Sequence, residues 1–69
     1  MDYSKLRGRI REVCKTEAVF AQAIGISRTT VSLRLNGKTQ WTMPEMKKAC
    51  AILNIPMVDI ESYFFTAIV

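Results

Sequence analysis

The chain has 69 residues, of which 49% are hydrophobic and 9% aromatic, and its formal net charge is +4. This length fits one domain, residues 1–69, with one small core, and the composition is that of a globular protein rather than a disordered one. No run of about 18 apolar residues occurs, and the first residues lack the apolar segment of a signal peptide, so we expect a cytoplasmic protein without a membrane span.

The positive charge is concentrated in the first half of the chain. Residues 1–38 contain eight lysines and arginines against three acids, a net +5, whereas residues 39–69 contain two lysines against three acids, a net −1. This asymmetry indicates a polyanionic partner, although ordinary solvated helix faces give the same count.

The sequence offers little for catalysis or metal binding. It has no histidine, and Cys14 and Cys50 lie in apolar helical patterns without the C-x-x-C spacing of a zinc or redox pair. We expect two reduced core thiols rather than a disulfide, no metal site, no cofactor and no small-molecule ligand. With no glycine-rich phosphate loop and no evident converging pair of acids, we expect no enzymatic activity.

Apolar residues recur at helical spacing and predict five helices. Helix 1 is predicted over residues 3–14, with Asp2 as its cap and an inward stripe of Tyr3, Leu6, Ile10, Val13 and Cys14. Helix 2 is predicted over residues 17–24, capped by Thr16 and ended by Gly25, since glycine adopts the left-handed conformation without a Cβ clash.

Start and stop signals also bound the next helix. Helix 3 is predicted over residues 28–36, with Ser27 as its cap, Ile26 and Val31 as a hydrophobic staple, and Gly37 as its stop.

The second half of the chain predicts two further helices. Helix 4 follows a capping box of Thr42 and Glu45 and a staple of Trp41 and Met46. Its predicted inner face comprises Met43, Met46, Cys50 and Leu53. Helix 5 is predicted from about residue 56 to residue 64, with Met57, Ile60 and Phe64 facing inward.

Helices 2 and 3 meet at a tight corner, Gly25-Ile26, with the small Ala21 one turn earlier. Two short helices joined in this way predict a helix-turn-helix. The outer face of helix 3 then carries four residues suited to reading DNA bases in the major groove: Arg28, Thr29, Ser32 and Leu33.

The stretch "FAQAIGISRTTVSLRLNGK" resembles the helix-turn-helix of the phage Cro/cI repressor class, the XRE family. The resemblance covers about residues 3–64. It implies an all-α, compact five-helix domain of the lambda-repressor-like DNA-binding type, with the helix-turn-helix formed by helices 2 and 3. It also implies base reading by the outer face of helix 3. We expect phosphate contacts from Thr16, Ser27, Arg34, Asn36 and Lys38, whereas the carboxylate of Glu17 repels phosphate and receives no DNA role.

The resemblance implies a transcriptional regulator, a Cro-like repressor that binds double-stranded DNA at a near-palindromic operator in the nucleoid of a bacterial host cell. Such proteins bind as homodimers, and the apolar tail, residues 65–69, is our candidate for the dimer contact. Packing of the tail on helix 1 is the alternative.

A different class of function remains open from the same residues. Val19 and Ala23 fall on the outer face of helix 2, where polar residues are more usual, and with the apolar tail they could form a protein-binding patch. The alternative is therefore a helical protein-interaction module, antirepressor-like, that does not bind DNA. The third alternative is an enzyme.

Overall fold

The computed structural model describes residues 3–65, which fold into five α-helices and one 3₁₀ turn. These are α1 (Ser4–Cys14), α2 (Glu17–Ile24), α3 (Arg28–Leu35), α4 (Met43–Leu53), the 3₁₀ turn (Met57–Asp59) and α5 (Ile60–Phe64). No strand occurs in this part of the chain. The expected all-α, compact five-helix architecture is confirmed.

Three of the helices begin at the predicted caps. The hydroxyls of Thr16, Ser27 and Thr42 each accept a hydrogen bond from the backbone N–H three residues later. The side chain of Glu45 accepts in return from the Thr42 N–H at 3.0 Å, which completes the capping box. Each cap satisfies a donor that the first turn of a helix leaves open, so these starts are encoded locally.

Two glycines end helices as expected. Gly25 has a φ of 86°, and the N–H groups of Gly25 and Ile26 both donate to the carbonyl of Ala21, at 2.9 and 3.1 Å. Gly37 has a φ of 73° after α3. The first of these ends turns the chain sharply from α2 into α3.

The core lies between all five helices. Its largest fully buried side chains are Leu6, Ile10, Phe20, Ile24, Val31, Leu35 and Leu53. The buried Trp41 stands edge-on to Phe20, with ring centroids 6.5 Å apart, and to Phe64, at 5.4 Å. This aromatic group joins α2 to α5 through the segment before α4 and holds the two halves of the chain together.

Three residues that were predicted to face inward are exposed: Val13 by 42%, Met43 by 52% and Met57 by 50%. The buried stripe of α1 consists of Leu6, Ile10 and Cys14, in steps of four, which leaves Val13 at its edge. Met43 is the first residue of α4, before the helix reaches the core. Met57 lies in the 3₁₀ turn, whose three-residue period rotates it away from the predicted face.

The remaining fold expectations concern the termini and the thiols. Tyr3 occupies the N-cap position of α1, and the predicted cap Asp2 lies outside the described residues. Both cysteines are free and buried, and burial raises the pKa of each thiol. No helix in residues 3–65 is long and apolar enough to cross a membrane, and no group of three potential metal ligands occurs there.

Candidate interaction surface

The four residues predicted to read bases lie together on the outside of α3. Arg28, Thr29, Ser32 and Leu33 line a shallow groove of about 380 Å³, called here the α3 groove. Leu33 is 41% exposed, and the guanidinium of Arg28 makes no hydrogen bond or ion pair with another residue in 3–65. The groove thus combines a free guanidinium with an exposed aliphatic side chain.

α2 also carries two exposed apolar side chains, Val19 and Ala23, called here the α2 edge. Val19 is 49% exposed, and Ala23, one turn further along α2, is exposed too. Neither side chain is needed by the core, which α2 meets through Phe20, Ala21 and Ile24. The corner therefore presents exposed apolar groups on both of its helices.

Arg34 was predicted to reach a DNA phosphate, but its guanidinium is turned into the protein. Its Nε donates to Glu45 Oε1 at 2.7 Å, its Nη2 donates to Glu45 Oε2 at 2.9 Å, and its Nη1 donates to Thr39 Oγ1 at 2.7 Å. Both side chains of the pair are only 15% exposed. Arg34 therefore fastens α3 to the start of α4.

The electrostatics of this pair follow from its geometry. The hydrogen bonds from Arg34 lower the pKa of Glu45 to about 2, against the opposing effect of burial, and bonds from Thr42 help. The pKa of Arg34 is raised by the same contact. Both groups are thus charged throughout the physiological range.

Arg7 forms a second fastening that sequence reasoning missed. Its guanidinium donates to the Leu35 carbonyl at 3.1 Å, to Asn36 Oδ1 at 2.9 Å and to Glu17 Oε2 at 3.3 Å. It thereby ties α1 to the start of α2 and the end of α3. Because the partners lie up to 29 positions away, no local pattern in the sequence signals this role.

The other residues predicted to contact phosphate are Thr16, Ser27, Asn36 and Lys38. The Thr16 and Ser27 hydroxyls cap α2 and α3. The Asn36 amide donates to the Ser32 carbonyl at 2.9 Å, while Lys38 is exposed just beyond α3. Most of this set therefore has a bonding partner inside the protein.

A second groove, of about 410 Å³, lies at the end of α4. It is lined by Lys47, Cys50, Ala51, Asn54, Ile55, Pro56 and Met57. Val58 beside it is 87% exposed. Of the tail, Phe65 is 41% exposed, and residues 66–69 lie outside the described part of the chain.

Comparison with known proteins gives one family and one informative structure. The model of the family described as "Protein of unknown function (DUF739)" matches residues 1–67. The solution structure of the modulator of repression (MOR) of the temperate bacteriophage TP901-1 from Lactococcus lactis is 48% identical to this chain, with a TM-score of 0.84. The match covers 96% of this chain and 89% of that one. No curated protein matches.

The expectation of a Cro/cI-type repressor of the XRE family is therefore wrong. The matching family is another one, and the similar structure is named a modulator of repression, not a repressor. The resemblance was misleading because Ala21, Ile24, Gly25, Ile26 and Val31 are buried, packed against the core or turn-forming. Such residues specify the corner between two helices, whatever its outer face binds.

Without a Cro/cI-type repressor, the expectations that depended on DNA binding lose their support. Double-stranded DNA and a homodimer on an operator are not supported as partners, and the DNA-contacting roles of residues 16, 27–29, 32–34, 36 and 38 are carried no further. The finding favours the alternative, a helical protein-interaction module. By its family match over residues 1–67, the chain belongs to the DUF739 family.

Proposed function

We propose that this protein is a modulator of repression, a regulatory module that works by binding a protein, namely a transcriptional repressor of a temperate phage. It acts without a chemical step, in the cytoplasm of the bacterial host cell. The observation that carries this proposal is the 48% identity to the TP901-1 modulator over 96% of the chain.

The exposed side of α2 and α3 supports a protein as the partner. Val19 is 49% exposed and Leu33 is 41% exposed, and neither side chain belongs to the core. Apolar side chains of this size, next to polar and charged ones, are the kind of surface that protein partners bury. We place the binding surface on the α2 edge and the α3 groove.

A reporter assay tests the function. A promoter is placed under the TP901-1 repressor, and the change in reporter output is measured when this chain or, as positive control, the TP901-1 modulator is co-expressed. Val19→Asp removes apolar contact from α2. Its matched control is Met57→Asp, because Met57 is 50% exposed and also stands in a first helical turn, where an acid is tolerated.

We expect the wild-type chain and the Met57→Asp variant to change repression alike, and the Val19→Asp variant to lose the effect. A reporter that responds to the TP901-1 modulator but not to this chain contradicts the proposal. Equal activity of both variants would move the binding surface away from α2.

A further inference from the structure

Within residues 3–38, both acids lie within 4 Å of an arginine. Glu12 lies 3.9 Å from Arg9, and Glu17 lies 3.3 Å from Arg7. Four basic side chains in residues 3–38 make no hydrogen bond, ion pair or ring contact: those of Arg11, Lys15, Arg28 and Lys38. The surplus charge of this half therefore resides on a few exposed side chains.

Three of these cations lie around α2 and α3, whereas Arg11 lies in α1. Lys15 precedes α2, Arg28 is the first residue of α3, and Lys38 follows α3. Of the four, Arg28 is the one that lines the α3 groove. Its planar guanidinium offers parallel N–H donors that fit a carboxylate.

Burial of Leu33 by a partner has a consequence for Arg28. Because both line the same shallow groove, a protein surface that covers the aliphatic side chain also removes water from the guanidinium. An unpaired charge is costly to desolvate, so a stable complex needs a counter-charge at that point. Within residues 3–65 no acid supplies it.

We propose that the α3 groove receives an acidic segment of the protein partner, with a carboxylate on Arg28 and an adjacent aliphatic side chain on Leu33. This inference rests on the proposed function for the partner being a protein. Lys15 and Lys38 add long-range attraction, which favours association with an acidic surface.

The second half of the chain provides a matched control. Lys47 is exposed and, like Arg28, has no ion-pair partner in the described residues, but it borders the groove at the end of α4 instead. Residues 39–69 contain two lysines and three acids, so this half of the sequence carries no surplus of positive charge. Charge reversal at Lys47 changes the net charge as much as reversal at Arg28 does.

The test uses a displayed library of helical peptides, selected on the immobilised full chain with the Arg28→Glu variant as counter-selection. An acid at the first position of a helix suits its dipole, so this variant should remain folded. Affinities of the selected peptides are then measured by fluorescence anisotropy for the wild type and for Arg28→Glu, Arg28→Lys and Lys47→Glu, with polyglutamate as a bare polyanion.

We expect enriched peptides that carry Asp or Glu next to Leu, Ile or Val. Their affinity should fall about tenfold or more with Arg28→Glu, fall less with Arg28→Lys, which keeps the charge but not the fork, and stay within about twofold with Lys47→Glu. Absence of enrichment, peptides without acids, equal losses from Arg28→Glu and Lys47→Glu, or equal competition by polyglutamate overturns the proposal.

The reporter assay separates this inference from the proposed function. If the chain modulates repression but selects no acidic peptides, the proposed function is supported and the acidic segment of the partner is contradicted. If the chain selects acidic peptides but has no effect on repression, the preference of the α3 groove for acidic segments is supported and the repressor is contradicted as the partner.

Discussion

At the scale of single residues, Arg34 shows how a side chain acquires its role from a distant partner. The periodicity of α3 places Arg34 off the core, and from the sequence its guanidinium is free for an external phosphate. In the structure it pairs with Glu45, eleven positions away, through two hydrogen bonds. The capping box identifies Glu45 as a cap for α4, but nothing local shows that the same carboxylate holds α3.

Replacement of Glu45 by glutamine tests the strength of this fastening. Glu45→Gln keeps the size of the side chain and its capping acceptor but leaves the Arg34 side chain, only 15% exposed, without a counter-charge. We expect the free energy of unfolding at pH 7 to fall by about 2 kcal/mol, measured by urea denaturation. Glu61→Gln, at an exposed acid, is the control, and a change of equal size there contradicts the assignment.

The same pair predicts a dependence of stability on pH. Folding lowers the pKa of Glu45 from its usual value of 4.5 to about 2. Its contribution to stability is therefore complete above about pH 4.5 and is lost as the pH falls towards 2. The stability difference between the wild type and Glu45→Gln should shrink over that range in urea titrations, and a difference that stays constant contradicts the pKa shift.

At the scale of elements, the predictable helix ends are those with local chemistry. Thr16, Ser27 and Thr42 fix three starts, and Gly25 ends α2, so these bounds follow from the sequence. The segment after α4 was predicted as one helix, because Met57, Ile60 and Phe64 recur at nearly helical spacing. Its first turn is 3₁₀ instead, and in short turns neighbouring segments, not propensity, decide between the two.

The backbone conformation at the corner between α2 and α3 can be tested by comparing Gly25, which lies in the corner, with Gly8, which lies inside α1. A Cβ added at Gly8 or at Gly25 meets no atom within 4 Å, but only Gly25 has a positive φ, of 86°. We expect Gly25→Ala to destabilise the fold by about 1–2 kcal/mol and Gly8→Ala, inside α1, to stabilise it by about 0.5–1 kcal/mol. Thermal unfolding of both variants checks this, and a change in stability of the same sign for both variants contradicts the expectation.

At the scale of the whole molecule, one core joins both halves of the chain and encloses both thiols. Cys14 is 8% and Cys50 is 3% exposed, and burial raises the pKa of each. We expect a thiol reagent at neutral pH to react with the native protein at least about 100-fold more slowly than with the protein unfolded in urea. Rapid titration of either thiol in the native state is inconsistent with this core.

The sequence of this protein predicts its fold better than its function. Buried positions such as Ile24 and Val31, with Gly25 between them, determine the helical corner, whatever its outer face binds. Function depends on what lies outside the corner, where Val19, Arg28 and Leu33 suit a groove in DNA or a protein surface about equally well. Similarity over 96% of the chain, not any motif, favours the protein surface.

The measurement that tests the central claim most directly is a binding titration of the labelled full chain. Purified TP901-1 repressor is titrated in one series and duplex DNA from a random-sequence pool in another, at low and at moderate salt, with anisotropy as the readout. We predict saturable binding to the repressor at both salt concentrations and no sequence-selective binding to the duplex. Selective duplex binding without repressor binding would contradict a regulator that works through a protein partner.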